Sequence, residues 1–230
     1  MNREPRVVEV RRNLLKQNDV IARELRTGFL ETGTFVVNLV SSPGAGKTTF
    51  LERLLTRLHA RRRVAALVGD LATENDAARL ARSGAPVQQI TTGTVCHLEA
   101  AMIRAALESW DVRGLDFLFI ENVGNLVCPA SYDLGENLRL VLMSVTEGED
   151  KPLKYPTIFN SSDIAVVSKV DLVAAVEFDW SAATTNIHAV RPGMPILGVS
   201  ARSGEGMDVF CDLLEARLAE LRTPAALPGS

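Results

Sequence analysis

The run Thr34-Phe-Val-Val-Asn-Leu-Val40, followed by Ser41-Ser-Pro-Gly-Ala-Gly-Lys-Thr-Thr49 and then Phe50-Leu-Glu-Arg-Leu-Leu-Thr-Arg-Leu58, decides the fold. The first segment is β-branched and apolar and predicts a buried strand. The second carries proline and glycine and predicts a loop. The third repeats apolar residues at helical spacing. Strand, glycine loop and helix in this order are what a phosphate-binding loop requires. Gly44 and Gly46 would let backbone N–H groups approach phosphate oxygens without a Cβ in the way, and the helix that follows presents its positive end to the same anion. Lys47 is expected to bridge the outer phosphates, and the Thr48 hydroxyl to sit on Mg2+. The nucleotide-contacting set in this segment is Pro43, Gly44, Ala45, Gly46, Lys47, Thr48 and Thr49. The full pattern opens with glycine, and Ser41 stands in that place.

Outward from this segment, short β-branched runs alternate with longer helical patterns. Strands are expected at 34–40, 64–68, 117–120, 138–145, 164–167 and 196–199, and helices at 47–61, 75–83, 98–110 and 206–221. The alternation predicts an α/β fold: a mostly parallel sheet flanked by helices, of the P-loop NTPase kind. Before it, residues 5–30 place Val7, Val10, Leu14, Leu15, Ile21, Leu25 and Leu30 among charges, which predicts an amphipathic helix packed on the core as an accessory element. The expected organisation is an N-terminal helical extension over 1–32, a nucleotide-binding domain over 33–222 and a loose tail over 223–230, where Pro224, Pro228 and Gly229 oppose helix.

Two apolar runs end in loops that suit a purine base. The run SDIAVVSKVDLV ends in Ser168-Lys169-Val170-Asp171, and PILGVS ends in Ser200-Ala201. Asp171 can accept two hydrogen bonds from the N1–H and 2-amino edge of guanine, a donor pair that adenine lacks. Lys169 can cover one base face, and the Ala201 N–H can reach the base oxygen. These loops are similar to the G-protein elements Asn-Lys-x-Asp and Ser-Ala-x, with Ser168 replacing the asparagine and removing one side-chain amide. Two further strands end in carboxylates, at Gly69-Asp70 and at Glu121-Asn122-Val123-Gly124, with Asp76 just beyond the first. Thr48, Asp70 and Glu121 are the expected Mg2+ set, and Asp70 or Asp76 the residue orienting an attacking water. Lys47, Asp70, Asp76 and Glu121 therefore form the expected catalytic group. Gly124 stands where a γ-phosphate would hold the following loop. Asp76 equally suits a helix cap.

The 230 residues, 47% hydrophobic and with a net charge of -3, suffice for one sizeable core and generate no field that would draw the chain to nucleic acid or an anionic membrane. No apolar run reaches membrane-spanning length, and MNREPRVVEVRRN lacks a secretory core, so the expected location is cytoplasmic. Three cysteines form no disulfide framework. Cys211 lies on the apolar face of the last helix and reads as packing; His59 and His188 lack nearby ligand partners. Cys96-His97 before a helix and Cys128-Pro129 beyond the Glu121 loop offer two thiols and an imidazole, donors that suit Zn2+ or Ni2+, though buried cysteines are commonly just small hydrophobes. Adjacent residues point in different directions, so Cys96 and His97 are expected to share an ion only with a third group or a second subunit.

Taken together, SSPGAGKTT, GDLATENDAARL, TGTVCHLEA, ENVGNLVCP, SVTEGEDKPLKYP, SKVDL and SARSGEGM resemble the HypB family of hydrogenase nickel-incorporation GTPases from about Val36 to Met207. The resemblance implies a GTPase that uses GTP/GDP and Mg2+, binds Ni2+ or Zn2+, and dimerises in its GTP state. It also implies help, with a nickel-binding accessory protein, in delivering nickel to the [NiFe]-hydrogenase large subunit. It assigns the G-domain metal site to Cys96, His97 and Cys128. The Cys-x-x-Cys-Gly-Cys motif or histidine-rich stretch that some members carry at the amino terminus is not present in MNREPRVVEV, so nickel storage there is not expected. Rival readings are the urease nickel GTPase, whose Cys-Pro-His motif is broken here by Ala130, a P-loop small-molecule kinase, and a binding module without turnover.

Overall fold

The computed structural model describes residues 6–70, 75–110 and 113–223, with side chains from residue 13 onward. In chain order the elements are α1 (Arg6–Thr32), β1 (Phe35–Ser41), α2 (Lys47–His59), β2 (Val64–Asp70), α3 (Asn75–Ala81), β3 (Val87–Thr91), α4 (Ala100–Glu108), β4 (Phe117–Glu121), β5 (Leu138–Ser144), α5 (Lys151–Lys154), α6 (Pro156–Asn160), β6 (Ile164–Ser168), α7 (Trp180–Val190), β7 (Ile196–Val199) and α8 (Met207–Arg222). Single 3-10 turns cover Cys128–Ser131, Val145–Glu147 and Val170–Leu172.

The seven strands form one sheet in the order β3-β2-β4-β1-β5-β6-β7, and every pairing is parallel. β1 is central and its seven residues are all buried. Period-two alternation divides its side chains between the two faces. Val37 and Leu39 join Phe50, Leu51, Leu54, Leu55 and Leu58 of α2 and Phe210 and Leu214 of α8 on one face. Val36 packs with Ile103 and Ala106 of α4 and Phe29 of α1 on the other. Each fully buried Leu or Phe contributes roughly 1.5–3 kcal/mol, and the Phe50–Phe210 edge-to-face contact, with centroids 5.1 Å apart, ties α2 to α8. The register sets Leu39 opposite Glu121, so the loop after β1 and the carboxylate ending β4 emerge side by side. This is the switch-point crevice of an open α/β sheet.

The α/β expectation with a parallel sheet holds, and three differences are instructive. The edge strand β3, VQQIT, goes unnoticed in the sequence because it is only half-buried along its length and its central glutamines mask the strand pattern. Val145, expected in a strand, lies instead in a 3-10 turn closed by a reciprocal Ser144–Glu147 capping box. α1 docks through only part of its expected apolar set: Ile21 is buried and Leu25 packs on the core, but Leu14 and Leu30 are exposed, and Asn18, Ala22 and Phe29 complete the docking face. Among the described residues no helix is long and apolar enough to cross a membrane. Of the expected loose tail at 223–230, residues 224–230 lie outside the described residues, as do 71–74 of the loop after Asp70.

Candidate nucleotide site and metal cluster

Gly44 and Gly46 both take positive φ, 79° and 88°, so the loop curls in a way that disfavours side chains there. A cavity of about 570 Å3 over this loop is lined by residues 41–49 and by Asp70, Asp76, Arg79, Val123, Gly124 and Lys169. All the expected phosphate-side residues except Glu121 line it. Glu121 lies directly beneath: it is 1% exposed, accepts a hydrogen bond at Oε1 from Lys47 Nζ at 2.7 Å and another from Thr48 Oγ1 at 2.6 Å, and keeps Oε2 buried without a hydrogen-bond partner. A buried carboxylate with one unmatched oxygen beside a hydroxyl is a donor set that suits Mg2+. Gly124 packs so closely that a Cβ there would stand 3.2 Å from Pro43 Cα.

The base side is built by β6 and β7. A second cavity, about 210 Å3, is lined by Gly46, Thr49, Phe50, Ser168, Lys169, Asp171, Leu172, Val199, Ala201 and Arg202. Lys169 adopts φ 59°, a left-handed conformation uncommon for a side-chain-bearing residue, and its Nζ donates to the Gly44 carbonyl at 2.7 Å. Ser168 donates to the Ala45 carbonyl at 2.5 Å, so the residue that replaces asparagine fastens the base loop to the phosphate loop. Ser200, expected to touch nucleotide, is fully buried behind Asp171 and donates to its Oδ1 at 2.6 Å; it aims the carboxylate.

Cys96 and His97 lie in the loop before α4, and Cys128 opens a 3-10 turn. Cys96 Sγ is 2.8 Å from Cys128 Sγ and 3.9 Å from His97 Nδ1, and the ligand atoms of the three all fall within 4.8 Å of one another. Ligands at about 2.0–2.3 Å around one tetrahedral ion would lie roughly 3.3–3.8 Å apart; the three donors gather about one point, and the two sulfurs, here in hydrogen-bond contact at 2.8 Å, would part by about 1 Å to take an ion between them. The expectation that neighbouring Cys96 and His97 diverge is corrected in one respect: both face the same point, because they sit in irregular backbone where strand alternation does not apply, and Cys128 is the third group. His97 stacks on Tyr132 with centroids 3.9 Å apart. Burial lowers the His97 pKa against the opposing pull of Glu99, which favours the neutral, ligating imidazole. The hydrogen bond to Cys128, with burial, raises the Cys96 thiol. Cys211 is buried in the core, and His188 lies 3.1 Å from the Met194 carbonyl, as their bland readings require.

Two asparagines overlooked in the sequence join the sites. Asn122, next to Glu121, accepts the Leu98 N–H at 3.1 Å just after His97. Asn125 donates to the Cys96 carbonyl at 3.3 Å and accepts the Val127 N–H at 2.8 Å, holding both cysteine loops. Their signal was their place between a strand-end carboxylate and a cysteine. Arg79, which lines the phosphate cavity and pairs with Glu52 at 2.9 Å, was also missed.

A central β1 running into a glycine loop, with a carboxylate on the adjacent strand and a base cavity between β6 and β7, defines a P-loop nucleotide-binding protein. The family model described as CobW/HypB/UreG, nucleotide-binding domain, matches residues 35–198. A hydrogenase maturation factor HypB from Rhizobium leguminosarum bv. viciae is 46% identical over 214 residues, 93% of this chain and 72% of that one. Crystal structures of HypB from Helicobacter pylori in complex with nickel and of HypB from Archaeoglobus fulgidus superpose with TM-scores of 0.84 and 0.81, at 40% and 37% identity. They cover 92% and 88% of this chain, and 99% of each of theirs is matched. The chain belongs to the HypB family of hydrogenase maturation factors, within the CobW/HypB/UreG P-loop GTPases.

Proposed function

We propose that this protein is a GTP-hydrolysing nickel metallochaperone that assists nickel insertion into the large subunit of a [NiFe]-hydrogenase. The observation that carries this reading is that one loop, Glu121 to Cys128, has the phosphate-side carboxylate at one end and a metal-triangle thiol at the other. The HypB relationship supports the nickel cargo and the maturation role.

In this reading GTP and water give GDP and phosphate. Lys47 leaves Glu121 to bridge the outer phosphates, and the backbone N–H groups of 44–49 cradle the chain of phosphates. Asp171, aimed by Ser200, accepts from the guanine edge, while the Lys169 stem covers one base face and the Ala201 N–H meets the base oxygen. Thr48 and Glu121, with Asp70, would hold Mg2+, which supplies charge neutralisation on the phosphate oxygens. Asp70 or Asp76 orients the attacking water. Gly124 follows the terminal phosphate, and Asn122 and Asn125 pass its position to Leu98, Cys96 and Val127. Cys96, His97 and Cys128 carry Ni2+, with Zn2+ the alternative ion. The GTP state brings two protomers' ligand sets together, and a nickel-binding accessory protein supplies the ion. The working unit is the domain over 33–222 with its helical extension over 1–32, in the cytoplasm.

Titration with Ni2+ in the GDP state and in a GTP-analogue state, for the natural chain and for Cys96→Ala and Cys128→Ala, tests the coupling. Affinity should differ between the nucleotide states by roughly 5- to 150-fold and fall in both variants. Equal affinity in the two states would sink the coupling, and unchanged affinity in the variants would remove the site.

A further inference from the structure

The metal triangle is assembled from two loops separated in sequence by the whole of α4 and β4, and a third element holds them in place. α4 begins three residues after His97, and Glu99, in the capping position just before it, makes no side-chain cap. The missing acceptor comes from α1: Asn18 Oδ1 accepts the Ala100 N–H at 2.8 Å. The other half of the same carboxamide, Nδ2, donates to the Asp133 carbonyl at 2.8 Å. Asp133 follows Tyr132, which stacks on His97, and lies five residues beyond Cys128. Asn18 is 5% exposed, with both polar atoms bonded, on the docking face between buried Ile21 and Ala22 and the Cys128 side of the molecule.

The surroundings explain why the bridge transmits position. One and two turns along the same face, Ala22 presents a carbonyl that a Cβ on Gly135 would approach to 2.9 Å, and Arg26 pairs with the Asp133 carboxylate at 2.7 and 2.8 Å. From below, Arg139, paired to the buried Glu136, donates to the Tyr132 carbonyl at 2.7 Å. The segment from Cys128 to Gly135 is therefore gripped on two sides. Beside the Cys96–Cys128 and His97–Tyr132 contacts and the Asn125 bonds, Asn18 connects it through one side chain to the backbone N–H that opens α4, just after Cys96 and His97.

We propose that Asn18 is a positioning residue for the metal cluster: α1 acts as a clasp that fixes the separation of the Cys96-His97 loop from the Cys128 loop. The proposal rests on the metal reading given above. Groups that orient ligands without touching the ion typically change affinity by about 10- to 100-fold.

The test uses the full chain, Ni2+ and Co2+ alone as probes, and the thiolate-to-metal charge-transfer absorption as readout. The natural chain should give the band, and Cys128→Ser should lose it. Asn18→Ala should bind roughly 10- to 100-fold more weakly with a shifted band, while GTP-analogue affinity stays unchanged. Asn18→Asp keeps the acceptor for Ala100, loses the donor to Asp133 and should still bind about 10-fold more weakly; a metal-free thermal melt of each Asn18 variant separates this loss from misfolding. Arg26→Gln removes an ion pair of α1 but leaves the bridge, so it should lower thermal stability and spare metal affinity. Natural affinity and an unshifted band in both Asn18 variants would overturn the proposal. So would an equal loss in Arg26→Gln, which would make the effect one of general helix docking. If the natural chain itself gives no band, the metal reading fails first and takes the clasp with it.

Discussion

Lys47 has two partners in succession, and that makes its removal informative. Without nucleotide it neutralises Glu121, which is almost fully buried and whose second oxygen has no hydrogen bond. With GTP it would turn to phosphate. Lys47→Ala should therefore weaken GTP binding by roughly 100-fold, the equivalent of about 3 kcal/mol for two charge-assisted bonds. It should also destabilise the nucleotide-free protein by about 3 kcal/mol, because a buried carboxylate is left unpaired. Calorimetric GTP titration and a thermal melt read the two losses separately, and a variant that keeps full stability would contradict the Glu121 pairing. Ser168 raises a different question. Its hydroxyl holds the Ala45 carbonyl, so Ser168→Ala should cost about 1 kcal/mol of GTP affinity, some fivefold, by loosening the phosphate loop. If affinity is unmoved, Ser168 merely fills space. Asp171 is the residue whose loss should fall on base selectivity: Asp171→Asn should narrow the preference for GTP over ATP by about 1.5–3 kcal/mol, measured by competition.

At the level of elements, close approach accounts for what side-chain chemistry does not. Gly69 sits near the end of β2, where a Cβ would lie 2.7–2.8 Å from the Leu98 side chain. Leu98 follows His97 and is fully buried, so β2 and the start of α4 can meet only over a glycine. Gly69→Ala should overpack this contact by about 1–3 kcal/mol, lowering the melting temperature by several degrees, and push the Leu98 loop away from Asn122. A melt that matches the natural chain would show that Leu98 repacks freely. Helical and strand periodicity disclosed six of the seven strands and α1, α2, α3, α4 and α8; most of these bury broad apolar faces, although α3 buries Leu80 alone. α7 escaped because WSAATTNIHAV buries only Ala183 and Ile187 and carries paired threonines, weak helix formers, in its middle. The phosphate loop and base loop were legible because their chemistry needs fixed residue types in a fixed local order. The Asn18 bridge and the Ser200–Asp171 contact were not, since each joins residues far apart in sequence and has no local pattern.

On the scale of the whole molecule, one carboxylate gathers the ends of several elements at the amino-terminal ends of the strands, opposite the nucleotide loop. Asp116, just before β4, accepts the Arg63 N–H at 2.8 Å and the Arg222 guanidinium at 2.7 Å, and Arg222 in the last turn of α8 also donates to the Gly33 carbonyl between α1 and β1. Burial alone would raise the Asp116 pKa, but these donors outweigh it and hold the carboxyl below its ordinary value. Asp133 under α1 behaves in the same way: burial opposes, while Arg26 and the Gly135 N–H prevail. A group whose pKa is depressed on folding contributes stability that is fully present above its unfolded value, about 3.9, and is lost as pH falls through the folded value. Asp116→Asn keeps the shape and removes the charge. The natural chain should exceed the variant by about 1–2 kcal/mol in urea unfolding at pH 7. The gap should be the same at pH 5 and should close progressively below about pH 4. A gap that is constant from pH 7 to pH 3 would mean that Asp116 acts by packing alone. A gap that grows on acidification would reverse the sign assigned to its titration.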